Sequence, residues 1–274
     1  MQTTPHPVLR KYYDEEPDRQ PFVTSLFDGT ARYYERICDV GSLGSSRFYR
    51  GWILRKTGLA RGMAVLDVAT GTGLMARSAA RIVEDARRVV GLDPSAGMLA
   101  EARRRSALAF VQGHAETLPF ADGRFDFLTM GYALRHVADL DTTFREFLRV
   151  LKPGGRVLLL EISRPRSAFV RFLLRVHLQT LLPRIVQISA PGSRLTMLTR
   201  YYWDTIAECV APETILDVMR RSGFTGVDRH VRGGMLSEYL GQKPHRSADD
   251  EPRGIDTPQS VTSHRPQKPP AVDG

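Results

Sequence analysis

The run Val65-Leu66-Asp67-Val68-Ala69-Thr70-Gly71-Thr72-Gly73 constrains this chain more than any other stretch. Residues 63–68 are apolar apart from Asp67 and are bounded by Gly62 and Gly71, the pattern of a strand buried on both faces of a parallel sheet. At Leu74 the apolar spacing becomes helical and stays so to Val83. A strand that stops in a glycine-rich turn and opens at once into a helix aims free backbone N–H groups at one point. Such groups hold the anionic parts of a ligand, and a nucleotide-like cofactor suits them.

Two cofactors compete for the loop. Gly71-Thr72-Gly73-Leu74-Met75-Ala76 fits G-x-G-x-x-G/A, and Asp93 follows about 20 residues on, at the end of the next strand, as a dinucleotide site requires. Asp67 argues the other way, because a fixed negative charge at the strand end repels a pyrophosphate. A ligand with an amino group and a sulfonium is welcome there. S-adenosylmethionine has both, and its ribose offers hydroxyls to Asp93.

At 274 residues and 42% hydrophobic content, the chain allows one generous domain with appendages. Residues 1–16 are polar and broken by Pro5 and Pro7, so no signal peptide is expected. No run reaches the ~18 apolar residues of a membrane span. Cys38 and Cys209 stand far apart and form no CxxC pair, which argues against a disulfide scaffold or a zinc site and for a reducing cytoplasm. The net charge of +9 comes mainly from arginines scattered through Arg87-Arg88, Arg103-Arg104-Arg105 and Arg220-Arg221. Without an aromatic platform between them they read as solvated surface, not as a nucleic-acid site. Attraction to an anionic membrane surface is the other reading, so peripheral contact at the inner face stays open.

Residues 1–20 read as a loosely ordered lead. Residues 21–60 read as an N-terminal helical cap, with Phe22, Val23, Leu26 and Phe27 at helical spacing, Tyr33 and Tyr34 further on, and Trp52 taken as a core aromatic. Residues 61–164 alternate strand and helix, with further strands at 88–92, 108–112, 125–130 and 156–162 and helices at 95–105 and 140–151. Ser95 is placed to cap the first of these helices, and Lys152-Pro153-Gly154-Gly155 reads as a helix stop with its glycines at positive φ. Residues 165–210 read as a substrate cap. Its apolar insert, 168–188, carries Arg171, Arg175 and Arg184 and has three readings: a core helix, a lid over a greasy acceptor, or an interfacial helix whose arginines meet lipid phosphates. A helix at 212–222 and strands at 226–232 and 235–242 close the domain, and 244–274 reads as a disordered tail. Asp67, Asp93, Gly113-His114-Ala115-Glu116, Gly131-Tyr132 and Glu161-Ile162-Ser163 all fall at carboxyl ends of strands, where open sheets of this kind bind ligands.

Five segments in order, VLDVATGTG, GLDPSAGML, QGHAETLPF, FDFLTM and RVLKPGGRVLLLE, together resemble the class I S-adenosylmethionine-dependent methyltransferases. Within that superfamily, Ala133-Leu134-Arg135-His136-Val137-Ala138-Asp139 and the N-terminal residues Phe27, Ala31, Tyr34, Ser42, Gly44 and Arg47 resemble the ubiquinone/menaquinone biosynthesis C-methyltransferase family. The resemblance implies an α/β fold: a Rossmann-like, doubly wound, mostly parallel seven-stranded sheet with helices on both faces, an N-terminal helical cap and a helical insert after the fifth strand. It implies S-adenosyl-L-methionine as cofactor, held by Tyr34, Asp67, Thr70, Gly71, Thr72, Gly73, Asp93, Pro94, Met98, His114, Ala115 and Gly131. Three positions depart from the usual pattern: His114 replaces an Asp, Gly131 a serine, and His136 the family's Asn.

The implied acceptor is an apolar small molecule, foremost a prenylated demethylquinol methylated at carbon. A phenol of pKa about 10 needs a base to ionise at neutral pH, and His136 is the side chain of the right type. Arg135 is placed to stabilise the phenolate, with Tyr132 and Asp139 as second choices. The competing reading of His136 is a cap on the turn into the next helix. Other lipids or secondary metabolites methylated at O, N or an alkene carbon, a nicotinamide-binding oxidoreductase, and a non-catalytic binding protein remain alternatives. No metal is expected, and a monomer and a homodimer both stay open.

Overall fold

The structure, a computed structural model, describes residues 2–42, 44–189 and 193–245. Seven strands, β1 (Val65–Val68), β2 (Val89–Asp93), β3 (Ala109–Gln112), β4 (Phe125–Gly131), β5 (Leu151–Ile162), β6 (Thr225–Arg232) and β7 (Leu236–Gln242), form one sheet in the order β3-β2-β1-β4-β5-β7-β6. β7 alone runs antiparallel to its neighbours, β5 and β6. The strand order reverses beside β1, so the carboxyl ends of β1, β2 and β4 open onto one crevice.

The pleat sorts the strand residues between two layers of helix. Leu66, Val68, Leu128, Met130, Val157 and Leu159 face Phe144 and Phe147 of α5 (Leu140–Val150) and Val218 and Met219 of α9 (Pro212–Arg221). Val65, Phe127, Leu158 and Leu160 face the other way, onto Ile53 and Leu54 of α2 (Ser46–Lys56) and Met75, Ala79 and Val83 of α3 (Leu74–Val83). The loop after β2 leads into α4 (Ala96–Arg105), capped as its sequence indicates by Ser95, whose hydroxyl accepts from the Met98 N–H at 3.0 Å.

A third apolar cluster lies beyond the sheet. It joins Val23, Leu26 and Ile37 of α1 (Arg19–Gly41) to Leu174 of α6 (Ala168–Val176), Leu182 of α7 (Leu182–Ser189) and Leu198, Tyr201 and Ile206 of α8 (Ser193–Glu208). α6 and α7 are joined by a π-helical stretch, His177–Leu181. Pro183, second in α7, supplies no N–H to the helix before it, and the wider turn absorbs that interruption.

Several expectations change against this architecture. The lead is irregular in backbone but firmly packed: His6 and Arg19 are fully buried and Tyr13 nearly so. α5 ends at Val150, and Lys152-Pro153-Gly154-Gly155 belongs to β5, not to a helix stop. Only Gly154 takes a positive φ, +77°, and the pairing with β4 slips register between Phe125 and Phe127 to pass the proline. Trp52, expected in the core, is 45% exposed, stacked on Tyr49 and flanked by Arg232 at 4.7 Å and Lys56 at 5.0 Å from its ring centre. The expected tail lies, from residue 246 on, outside the described residues.

Phe147 is fully buried between α5 and the sheet. Truncating it in Phe147→Ala removes a ring's worth of contacts and leaves a cavity, so urea unfolding should show a loss of about 3–5 kcal/mol.

Candidate active site

The crevice starts at strained backbone. Ala69 (φ +52°) follows β1 and Tyr132 (φ +63°) follows β4, and both line the cavity. A left-handed conformation costs a non-glycine residue on the order of 1–3 kcal/mol and persists only where neighbours over-determine it. Here Thr70 N–H donates to Leu92 O at 2.9 Å and Tyr132 N–H to Leu160 O at 2.7 Å, fixing both turns to adjacent strands. Gly73 then starts α3 in the left-handed region, φ +82°, and no side chain caps the helix. The positive end of α3 is thus turned toward the loop.

Asp67 sits beneath the loop rather than in the cavity. One of its oxygens accepts from Thr70 Oγ1 at 2.5 Å and from the Ala76 N–H at 3.0 Å; the other accepts from Thr129 Oγ1 at 2.7 Å. Burial pushes its pKa up to about 6, against the pull of these bonds and of the buried Arg50 of α2. It holds β1, the loop, α3 and β4 together. Thr70 and Gly73 share this supporting position, and Thr72 is buried with a hydroxyl that has no partner.

Asp93 does face the cavity. Its oxygens accept from the Gly71 N–H at 2.8 Å and the Ser95 N–H at 2.9 Å, and burial pushes its pKa up to about 6, with Asp67 and Asp28 adding repulsion. Around it the cavity is lined by Tyr34, Gly71, Pro94, Met98, His114, Ala115 and Gly131, all expected from sequence. A side chain at Gly131 would meet no atom within 4 Å, so that glycine leaves open space.

The rest of the wall comes from α1. Gln20, Val23, Thr24 and Phe27 line the crevice, and sequence patterning alone did not separate their inward role from helix packing. Asp28 clips the helix down: its Oδ1 accepts from Ser95 Oγ at 2.5 Å and the Gly97 N–H at 2.8 Å. A Cβ at Gly97 would lie 3.0 Å from the Asp28 carbonyl oxygen, so the close approach requires glycine there. No described residue of the 165–210 cap lines this cavity; α6, α7 and α8 back α1 from outside.

The four acid–base candidates separate. His136 lines the cavity, edge-on to Phe27 at 5.4 Å and stacked on Tyr201 at 5.4 Å, and neither ring nitrogen has a partner. Burial and the neighbouring Arg135, His6 and Arg19 hold its pKa well below the usual imidazole value, so it is neutral at physiological pH. Tyr132 also lines the cavity, with Arg50 6.0 Å from its ring centre and its pKa raised by burial to about 12. Arg135 points elsewhere: it forms a buried ion pair with Glu161, and its Nε donates to Thr205 Oγ1 at 3.1 Å. Asp139 caps α5, one oxygen accepting from the Thr142 N–H at 2.8 Å and the other from the Thr3 N–H at 2.7 Å. Neither of these two lines the cavity.

A carboxylate for a ribose diol, the apolar side chains of Leu92, Met98 and Ala115 for a flat base, and a helix start at the loop make a donor set that fits S-adenosylmethionine. The fold and crevice define a class I S-adenosylmethionine-dependent methyltransferase. A putative S-adenosyl-L-methionine-dependent methyltransferase from Methanococcus maripaludis superposes with a TM-score of 0.58 at 16% identity, covering 81% of this chain and 95% of that one. Phosphoethanolamine N-methyltransferase 2 of Haemonchus contortus, solved with S-adenosyl-L-methionine, superposes with a TM-score of 0.57 at 19% identity, covering 80% of this chain and 57% of that one. The chain belongs to the ubiE/COQ5 methyltransferase family, which matches residues 14–243. It is 34% identical over 233 residues to the ubiquinone/menaquinone biosynthesis C-methyltransferase UbiE of Idiomarina loihiensis, covering 82% of this chain and 92% of the relative. It is 36% identical over 229 residues to the demethylmenaquinone methyltransferase of Beutenbergia cavernae, covering 82% and 93%.

A diol is held best by an ionised Asp93. Cofactor affinity measured by calorimetry should be flat above pH 7 and weaken as the pH falls through about 6, the value at which Asp93 takes up its proton. The limiting slope is roughly tenfold per pH unit, as for a single proton. Asp93→Asn should bind weakly and lose that slope.

Proposed function

We propose that this chain transfers a methyl group from S-adenosylmethionine to a ring carbon of a prenylated demethylquinol. The observation that carries the reading is His136: a neutral imidazole with both nitrogens unpartnered, set into a crevice wall that also carries the apolar side chains of Val23, Phe27 and Val137. Its rings and aliphatic groups suit a flat aromatic acceptor, and its free nitrogen accepts a hydroxyl proton. When bound, S-adenosylmethionine supplies an electrophilic methyl on a positively charged sulfur. The protein's share is to orient the acceptor, exclude water and move a proton. α1 covers the crevice, while Tyr132 and Gly131 bound it at the end of β4. The buried charges of Arg50 and Arg135 favour a phenolate over a phenol nearby. Arg135 does so from behind His136 and without direct contact, since Glu161 and Thr205 already hold it.

A prenyl tail makes the acceptor a membrane molecule. Among the described residues no helix is long and apolar enough to cross a membrane. The outer side of α6 and the following turn exposes Phe169 (69%), Phe172 (62%) and Leu173, with Leu181 and Ile185 beyond, and Arg164, Arg166, Arg175 and Arg184 are exposed around them. That pairing of apolar side chains and arginines suits the interface of an anionic bilayer, where the chain would collect its substrate from the cytoplasmic side.

The test offers methyl-labelled S-adenosylmethionine with 2-geranyl-1,4-naphthoquinone, reduced and oxidised. Label on the ring carbon only with the quinol is the expected result; label on neither form rules out the quinol reading. His136→Ala should lower kcat by about 10²–10⁴-fold, the usual range for a general base, with cofactor affinity unchanged.

A further inference from the structure

The proposed reaction turns on His136, yet no hydrogen bond holds its ring, since neither nitrogen has a partner. The imidazole is placed by its packing against Phe27 and Tyr201 and by the backbone that carries it. That backbone is a single 3-10 turn, Leu134–His136, closed by the His136 N–H on the Ala133 carbonyl at 2.9 Å. Val137, Ala138 and Asp139 then lead to α5. So short a turn has little rigidity of its own.

The bonds that fix the segment come from distant parts of the chain. Gln20 Nε2 donates to the His136 carbonyl at 2.9 Å, and Arg19 Nη1 to the Val137 carbonyl at 3.3 Å. Further along, the Ala138 N–H donates to Glu116 Oε1 at 2.5 Å and the Leu140 N–H to the Thr3 carbonyl at 2.9 Å. Arg19 and Gln20 are adjacent in the first turn of α1, so two neighbouring side chains reach two neighbouring carbonyls. They differ in setting. Arg19 is fully buried, its Nη2 donating to the His6 carbonyl at 2.7 Å and pairing with Glu16 at 3.0 Å, which makes it a fixture of the core. Gln20 is half-buried and lines the crevice. A carbonyl only accepts, so the Gln20 amide presents its nitrogen to His136. Thr24 and Phe27 follow Gln20 four and seven positions on and line the same crevice. One face of α1 thus carries both the amide that holds the His136 carbonyl and a ring that packs against the imidazole.

We propose that Gln20 is a positioning residue for the methyl transfer: its hydrogen bond to the His136 carbonyl sets the imidazole where it can take the acceptor's hydroxyl proton. The proposal rests on the quinol reading above. Gln20 moves no proton itself and acts through His136. What the reaction asks of it is geometric, because a base must come within about 2.6–3.2 Å of the hydroxyl it deprotonates. A misplacement of about 1 Å can cost on the order of 10²-fold in rate. With no bond on either ring nitrogen, only the contacts with Phe27 and Tyr201 resist a shift of the backbone beneath the imidazole. Arg19 anchors the next carbonyl from the core, and Gln20 anchors that of His136 from the crevice wall.

Gln20→Met keeps the length of the side chain and removes the donor, and at a half-buried position it should fold. The full chain is assayed with methyl-labelled S-adenosylmethionine and 2-geranyl-1,4-naphthoquinol as wild type, Gln20→Met, His136→Ala and the double variant. Amide hydrogen exchange of the peptide 133–139 is followed by mass spectrometry without acceptor. Gln20→Met should lower kcat by roughly 10–10²-fold with KM for the quinol and cofactor affinity unchanged. In the His136→Ala background the same substitution should cost nothing further, because a residue that acts through His136 has nothing left to position. Exchange of 133–139 should quicken in Gln20→Met while that of β1 stays as in wild type. A wild-type kcat in Gln20→Met, a further loss in the double variant, or unchanged exchange would each overturn the proposal. A wild-type chain that binds the cofactor but leaves the quinol unlabelled would overturn the substrate reading, and the exchange result would then decide the Gln20 contact by itself.

Discussion

One buried carboxylate ties the molecule together. Asp67 reaches the loop through Thr70, the start of α3 through the Ala76 N–H, and the neighbouring strand through Thr129, its register partner on β4. Hydrogen bonds to a charged group contribute about 1.5–3 kcal/mol each, enough to offset much of the cost of burying the charge, though burial still lifts its pKa to about 6. The loop that turns at Ala69 and the helix that starts at Gly73 depend on that anchor, because both depart from easy backbone geometry there. Asp93 repeats the device one strand over, holding the Gly71 and Ser95 N–H groups, but it keeps a face toward the crevice. Two carboxylates of the same type thus divide the work: one holds the loop from beneath, the other lines the crevice.

Much of this was legible in the sequence because it is carried by local patterns. Strand alternation, the Gly71-Thr72-Gly73 turn and the Ser95 cap each involve residues a few positions apart. What escaped depends on contacts between distant parts of the chain. The lead is polar and broken by Pro5 and Pro7, which reads as disorder, yet those residues are held by Leu140, Val137 and Val210. Trp52 counts as apolar in any periodicity, but Arg232 and Lys56 give its ring a place at the surface. The long apolar insert after the fifth strand admits three readings, one of them a lid that would wall the crevice. The structure gives that wall to α1, whose inward face carries Gln20 and Thr24 beside Val23 and Phe27 and so looks ordinary as a pattern. Arg50, buried above Tyr132, had no sequence signal at all, because an isolated arginine in an amphipathic helix reads as solvated.

Of the candidate acid–base residues, the structure sorts function by what each side chain already holds. Asp139 has both oxygens occupied and Arg135 is committed to Glu161 and Thr205, so neither has a group to spare. A buried ion pair of this kind is weak evidence for stability, but it fixes a positive charge where a mobile side chain would pair with whatever entered. His136 is the opposite case, with two unsatisfied nitrogens at the cavity wall.

The placement of charge around His136 then decides what chemistry it can do. A base for a phenol is usually helped by a high pKa, yet here burial, Arg135 and Arg19 hold the imidazole far below its usual value. The same positive charges act on the acceptor, and they lower a phenol's pKa as well, by favouring the phenolate. Burial and the neighbouring positive charges together keep the histidine neutral. An amide side chain at this position could orient an acceptor but could not take up its proton, so the imidazole adds a group that can.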